Sequence, residues 1–373
     1  MINSTSDLFL KFSGDYALIH GRIVFPLTIL GILTSLVTII ILNRKSFQTP
    51  TNFILQTVAF FDTIVLISFN IYSFYFYILH DPNPFVGQSK FWPCFAIIHS
   101  NVGLTAHSIA LWLTCLLAII RYMIISQPSH VVIRNRDVNI CIGLICVTVC
   151  LLMIPSYLSW RVVREPAWKY FPDRYDSNSS EFVYWLSSVT GKRLEKISFG
   201  ILAICFKILP VLVLIIFSIL LILNIRHAKV LRENLRRRCS SINSRSNLQR
   251  EMRTTTMLLL ITLCTVVVEF PQGLLLSATG IDKNVFQIYS RLGDFWDILT
   301  ISSSFITFVM YCSMSQQFRL EIVKLILPEF ILKKCHLSPN QSLSQKSIRL
   351  KPLKPQTSPL VNHKSNQFDS QPI

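Results

Sequence analysis

Charge is what this chain has least of. Only 15% of its 373 residues are charged, against about 25% in ordinary globular domains. Acids are the scarcer kind: 19 Asp+Glu stand against 36 Lys+Arg, a net charge of +17. With 51% hydrophobic residues and a mean hydropathy of +0.48, the chain cannot be disordered over most of its length. Its ten cysteines are spread through apolar runs rather than loops, which argues against a secreted disulfide scaffold. No internal repeat is visible, so a transporter built from repeated halves is the weaker reading. No nucleophile–base set and no cluster of histidine ligands appears, so nothing points to an enzyme. The basic excess is not patterned for a groove or a stacking platform, which sets nucleic acid aside.

What is present is long apolar runs. Seven stretches are long enough to cross a bilayer, which takes about 20 apolar residues per helix. They are Ile23–Leu42, Phe53–Leu79, Cys94–Ile120, Val138–Trp160, Ile197–Ile225, Thr255–Ala278 and Val285–Cys312. Pro26, Pro155, Pro210 and Pro271 fall inside them. Membrane helices tolerate proline where neighbours re-satisfy the freed carbonyls. The first run starts beyond residue 20 and lacks a small-residue cleavage site, so it reads as a span and not a signal peptide. The expected fold is all-α: a polytopic, seven-helix membrane bundle. Its expected parts are an extracellular N-terminus (1–22), the bundle (23–312), a membrane-surface helix (313–335) and a disordered cytoplasmic tail (336–373).

Sorting the charge by loop orients the bundle. The loops after segments one, three and five, and the C-terminal tail, carry +2, +2, +7 and +6. The N-terminus and the other three loops carry 0, 0, +2 and +1, with Arg291 counted in the last. Basic loops stay in the cytoplasm. The N-terminus is therefore expected outside and the C-terminus inside, in the plasma membrane. The sequons at Asn3 and Asn178 fall on the outside and are the expected glycosylation sites, while Asn340 falls inside. After segment seven, Gln316–Leu327 alternates apolar and charged positions at helical spacing, as a helix lying on the membrane face does. Cys335, beside Lys333 and Lys334, is a candidate palmitoylation site; an unmodified thiol is the plainer reading.

An ionisable side chain near mid-bilayer costs about 2.5–3.5 kcal/mol, so each needs a partner or a purpose. Asp62, Lys207, Glu269, Asp294 and Asp297 are the five. Lys207 and Glu269 each sit just before a proline, and an ion pair between them would leave neither free for a ligand. Asp294 and Asp297 are three apart and share a helix face. They have no obvious partner in the sequence, and a cationic ligand group is the favoured reading. His99 and His107 lie eight apart without a third metal ligand at suitable spacing, so they read as interior histidines. No metal or cofactor is expected.

These residues resemble a known family. Ile120-Arg121-Tyr122 is similar to the Asp-Arg-Tyr motif of rhodopsin-class G-protein-coupled receptors, and Asp62 to their helix-two aspartate. The likeness extends to the myosuppressin-receptor-like neuropeptide receptors of invertebrates, numerous in nematodes. It is carried by Thr49-Pro50-Thr51-Asn52-Phe53-Ile54-Leu55, His107-Ser108-Ile109-Ala110-Leu111-Trp112-Leu113-Thr114 and Phe206-Lys207-Ile208-Leu209-Pro210. Arg253-Thr254-Thr255, Glu269-Phe270-Pro271-Gln272-Gly273, Leu292-Gly293-Asp294 and Tyr311–Arg319 extend it, over about residues 23–327. The Glu-Phe-Pro-Gln-Gly run is the most specific, because most rhodopsin-class receptors carry Cys-Trp-x-Pro there.

The resemblance implies a receptor for a short amidated, RFamide-like peptide that signals to a heterotrimeric G protein, with arrestin and membrane lipids as further partners. It implies ligand contacts at Asp294, Asp297, Glu269 and Gln272, and an internal polar network of Asp62, Ser35, Thr307 and Lys207. G-protein contacts are implied at Arg121, Tyr122, Arg236, Arg237 and Arg238. Ser35 and Thr307 stand where the family has asparagines, and Ile120 where it has an acid. Cys94 occupies the position of the extracellular disulfide cysteine, yet Trp160–Ser198 holds no cysteine, so the usual bridge cannot form. A retinal pigment would need a lysine in segment seven, and residues 294–312 have none. The alternative within receptors is a chemosensory receptor for an environmental molecule.

Overall fold

The computed structural model describes residues 2–79, 89–126, 133–169, 172–173, 175–176, 180–189, 192–236, 242–279, 285, 288–289 and 292–326. The chain forms two compact units, residues 1–322 and 323–373, and of the second only Val323–Ile326 is described. Asn178, Arg237, Arg238, Cys335 and the tail from 336 lie outside the described residues. The side chains of Asn3 and Arg236 do as well.

Seven helices among the described residues are long and apolar enough to cross a membrane. They begin with α1 (Ile2–Leu42), α2 (Pro50–Ser73, prolonged by a π-turn at Phe74–Leu79), α3 (Phe91–Ser126) and α4 (Asn135–Ser159). The fifth span comprises α5 (Lys192–Ala203), a π-turn at Ile204–Ile208 and α6 (Leu209–Arg236). Then come α7 (Ile242–Ala278), α8 (Gly293–Met314) and a short further helix, α9 (Gln316–Ile326). The helices overrun the apolar segments, because backbone hydrogen bonding continues past the hydrophobic boundary. α1 is helical from Ile2, well before the span that begins at Ile19.

The packing is inverted relative to a water-soluble protein. Large apolar side chains face outward, among them Leu144 at 63% and Val267 at 73% exposure, while Lys207, Glu269, His99 and Asn101 are buried. That is the pattern of a bundle whose solvent is hydrocarbon, and the chain is a multi-pass membrane protein. The internal prolines are accommodated as the bilayer requires. Pro210 cannot donate to the carbonyl of Phe206, and the π-turn at Ile204–Ile208 absorbs the mismatch. Trp112 Nε1 donates to the Cys205 carbonyl in that turn at 3.2 Å. Close approach of α1 to α2 depends on Gly21, where an added Cβ would overlap the Cβ of Tyr77.

Two features fix the ends of the bundle. Between α4 and α5, β1 (Trp160–Pro166) pairs antiparallel with β2 (Phe182–Ser188), Val163 opposite Trp185. The hairpin packs against α3 and α4, and Arg164 lies 3.8 Å above the ring of Phe182. It is the one departure, among the described residues, from an all-helical plan. At the opposite end, Phe318 of α9 is fully buried against Phe47, Phe308 and Tyr311, and Arg44 pairs with Glu321. Cys94, half-buried near the start of α3, makes no disulfide among the described residues. Hairpin pairing and packing thus hold what a bridge would otherwise tether. Dithiothreitol is expected to leave ligand binding unchanged, and Cys94→Ser to signal like the parent in a cell assay. Loss of response in either would reveal a bridge.

Candidate functional site

Polar side chains in the bundle form a column from the hairpin end toward the α9 end. At the hairpin end are Asp294 and Asp297, one turn apart at the start of α8. Tyr77, carried by the π-turn that closes α2, donates its hydroxyl to Asp294 Oδ1 at 2.8 Å. His20 of α1 is 2% exposed and lies against Tyr77, ring centroids 4.9 Å apart. Among the described residues no hydrogen bond reaches Asp297, which lies in the electrostatic range of Asp294 and Lys207. Burial, followed by the two aspartates, raises the phenol of Tyr16, just before the first span, above its ordinary value. Tyr16 is therefore a neutral hydroxyl at physiological pH. The ends of α2 and α3 add an aromatic wall beside this acid pair: Tyr75 stacks on Trp92 at 3.2 Å, and Tyr72 on His99 at 4.4 Å. Ser68 and His99 Nδ1 share a hydrogen bond of 2.6 Å, so His99 is satisfied inside the bundle.

Deeper in the column, Lys207 Nζ lies 2.7 Å from Glu269 Oε2 and donates to Gln272 Oε1 at the same distance. His107 Nε2 of α3 takes the other carboxylate oxygen, Oε1, at 3.1 Å. Glu269 is 0% and Lys207 4% exposed. The ion pair thus forms, both oxygens of Glu269 are engaged within the protein, and three spans meet at one point. The Glu-Phe-Pro-Gln-Gly run now has a physical meaning. Glu269 and Gln272, three apart, both face Lys207, and a Cβ on Gly273 would crowd the Lys207 Cβ at 3.2 Å.

Below it, Asp62 lines a cavity of about 40 Å³ with His107, Glu269, Ser303, Ser304 and Thr307. Ser35 is buried but does not line this cavity. Lys207 belongs to the level above, with Glu269. Of the four residues expected in one network, the structure therefore brings together Asp62 and Thr307. Toward the α9 end, Arg121 Nη2 donates to Thr51 Oγ1 at 3.2 Å, and Tyr122 meets Phe217 edge-on at 5.7 Å. Thr51 follows the N-cap Thr49 and Pro50 at the first position of α2, so the Thr-Pro-Thr-Asn run both starts a helix and presents a partner to Arg121. Sequence reasoning passed over His20, which had no local signal, since it matters only through α8.

A seven-helix bundle with a polar column, an arginine near one end and a short further helix beyond the last span is the architecture of a rhodopsin-like membrane receptor. Squid rhodopsin superimposes with a TM-score of 0.63 at 14% identity, over 86% of this chain and 87% of that one, which establishes the fold. Residues 22–328 match the family described as serpentine type 7TM GPCR chemoreceptor Srw. The chain belongs to that family: it is a G-protein-coupled receptor rather than an enzyme. It is 28% identical to the G-protein coupled receptor dmsr-1 of Caenorhabditis elegans over 365 residues, 86% of this chain and 71% of that protein. The sex peptide receptor of Drosophila melanogaster is 24% identical, over 86% of this chain and 75% of that receptor. Sex peptide receptor-related protein 2 of Caenorhabditis elegans is 25% identical, over 85% and 73%.

Proposed function

We propose that this receptor lies in the plasma membrane with its hairpin end outside and recognises a short amidated peptide that carries a cationic residue. The observation that carries the reading is the acid pair Asp294 and Asp297. The buried lysine in their range, Lys207, is committed to Glu269 and Gln272. Among the described residues no salt bridge reaches either carboxylate, which favours a guanidinium, a group that binds carboxylates through paired charge-assisted hydrogen bonds. The wall of Tyr72, Tyr75, Trp92 and His99 suits a terminal aromatic ring. An Arg-Phe-amide ending supplies both groups. Kinship with a receptor named for a sex peptide supports a peptide over other ligands. Gln272 extends the acceptor surface inward, and Glu269 holds the floor through Lys207.

At the α9 end, proposed as cytoplasmic by its basic loops, Arg121 and Tyr122 are the contacts for the heterotrimeric G protein. Arg236, at the end of α6, and Arg237 and Arg238 beyond it meet the G protein or anionic lipid. Arrestin recognition belongs to the tail from 336, lipid anchoring to Cys335, and glycans to Asn3 and Asn178. Ligand binding shifts a two-state bundle only by its differential affinity for the two states. A peptide spanning α8 and the α2–α3 wall can supply that difference.

The test is a library of amidated peptides applied to cells expressing the full chain, with calcium or cyclic-nucleotide readout. Peptides ending in Arg-Phe-amide are expected to be the most potent. The family's description favours one rival, a receptor for an environmental molecule. Silence toward every peptide, with expression confined to ciliated sensory endings, would decide for that rival.

A further inference from the structure

The hairpin end holds an arrangement that a peptide contact does not explain. One ring nitrogen of His20 and one carboxylate oxygen each from Asp294 and Asp297 all lie within 4.8 Å of one another. His20 is 2% exposed, and its Nδ1 is buried without a hydrogen-bond partner among the described residues. A neutral imidazole facing two carboxylates ordinarily donates to one of them, because an unmade buried hydrogen bond costs about 1–3 kcal/mol. Here the ring is instead held by aromatic packing, edge-on to Tyr16 at 5.4 Å and tilted on Tyr77 at 4.9 Å.

We infer that His20, Asp294 and Asp297 form a site for a divalent transition-metal ion of the zinc class, closing the bundle between α1 and α8. The donor set is one imidazole nitrogen and two carboxylates, which suits zinc better than calcium or magnesium, whose sites take oxygen ligands alone. Three protein ligands leave a fourth position open to water or a ligand. Metal–ligand bonds of about 2.0–2.2 Å place tetrahedral donors about 3.3–3.6 Å apart. The three groups therefore need to draw in by about an ångström, within reach of side-chain rotation. The hydroxyl of Tyr77 supports the site from behind. Its 2.8 Å bond to Asp294 Oδ1 orients that carboxylate, as outer hydrogen bonds do for metal ligands. The ion would neutralise the pair proposed to receive a peptide cation, so it competes with that ligand; to this extent the inference rests on the peptide reading.

The test uses the full chain, purified into lipid nanodiscs without peptide. Zinc titration calorimetry is expected to give one ion per chain in a saturable phase. Cobalt should give the visible absorption of a tetrahedral site with no thiolate charge-transfer band. His20→Ala and Asp297→Asn should each weaken zinc binding at least tenfold, and two variants guard against one of them misfolding. In cells, added zinc should raise the peptide concentration for half-maximal response in the parent but not in His20→Ala. Absence of a saturable phase, unchanged affinity in both variants, or a thiolate band would overturn the proposal. Peptide potency measured in chelator separates the two readings. If the Asp297 variant loses potency there while no metal binds the parent, this inference alone falls. If metal binds and the Asp294 and Asp297 variants both keep their potency, the peptide contact falls and the metal site stands.

Discussion

Lys207→Met is expected to remove most receptor from the cell surface and to lower its thermal stability in detergent. Breaking one partner from a buried ion pair costs about 3–5 kcal/mol, because the remaining charge is left uncompensated. Here Glu269 would be stranded at 0% exposure with His107 as its remaining ion-pair partner among the described residues. Gln272 would lose the Lys207 donor as well. Glu269→Gln should be milder, since the amide oxygen can still accept from Lys207 while its NH2 can donate to an unprotonated His107 Nε2, though it strands the lysine's charge. The informative comparison is the double variant Lys207→Met with Glu269→Met. Paired apolar replacement of a buried ion pair is often neutral or stabilising, so the double should recover at least half of the lost melting temperature. Additive losses would show that the 2.7 Å contact carries no coupling. A recovered double variant that no longer signals would place the pair in the switch rather than in the scaffold. It ties α3, the π-turn of the fifth span and α7 at one point, so relative motion of those helices has to remake it.

The second large effect is on ligand potency. Asp297→Asn is expected to raise the half-maximal concentration of an arginine-containing peptide about ten- to a hundredfold. Hydrogen bonds to charged groups are worth about 1.5–3 kcal/mol, and each 1.4 kcal/mol is a factor of ten. Asp294→Asn should cost less, because Tyr77 already satisfies Asp294 Oδ1 and an amide oxygen can replace it. A peptide with citrulline in place of arginine keeps the shape and loses the charge. It should be weak on the parent, yet no weaker on the double Asn variant than the arginine peptide is. Both peptides have to be measured on variants matched for surface expression. Unchanged potency in both single variants would end the cation-pairing account.

Much of this protein follows from local properties of the chain. Each span satisfies its own backbone, so seven runs of apolar residues between basic and neutral loops were enough to predict seven helices. The helix after Met314 was visible as alternating apolar and charged positions. The Lys207–Glu269 contact stood among the readings open to the sequence, since two buried opposite charges beside prolines invite pairing. The hairpin was not visible, because Trp160–Ser188 mixes aromatic and charged residues without strict alternation and its pairing spans a long loop. His20 was passed over as part of an extracellular tail, and Ser35 was assigned to a network whose cavity it does not line.

The difference has one physical reason. Hydropathy and loop charge act on each segment separately and can be summed along the chain. Contacts between polar groups on different spans depend on the rotation of each helix about its axis. Here two π-turns and several close approaches set those rotations, and Gly21, Gly31 and Gly273 permit close approaches among them. The sequence alone therefore determined the spans, the charge asymmetry and the scarcity of buried charge. Only the tertiary structure decided that Asp294 and Asp297 face His20 and Tyr77, while Lys207 turns away to Glu269.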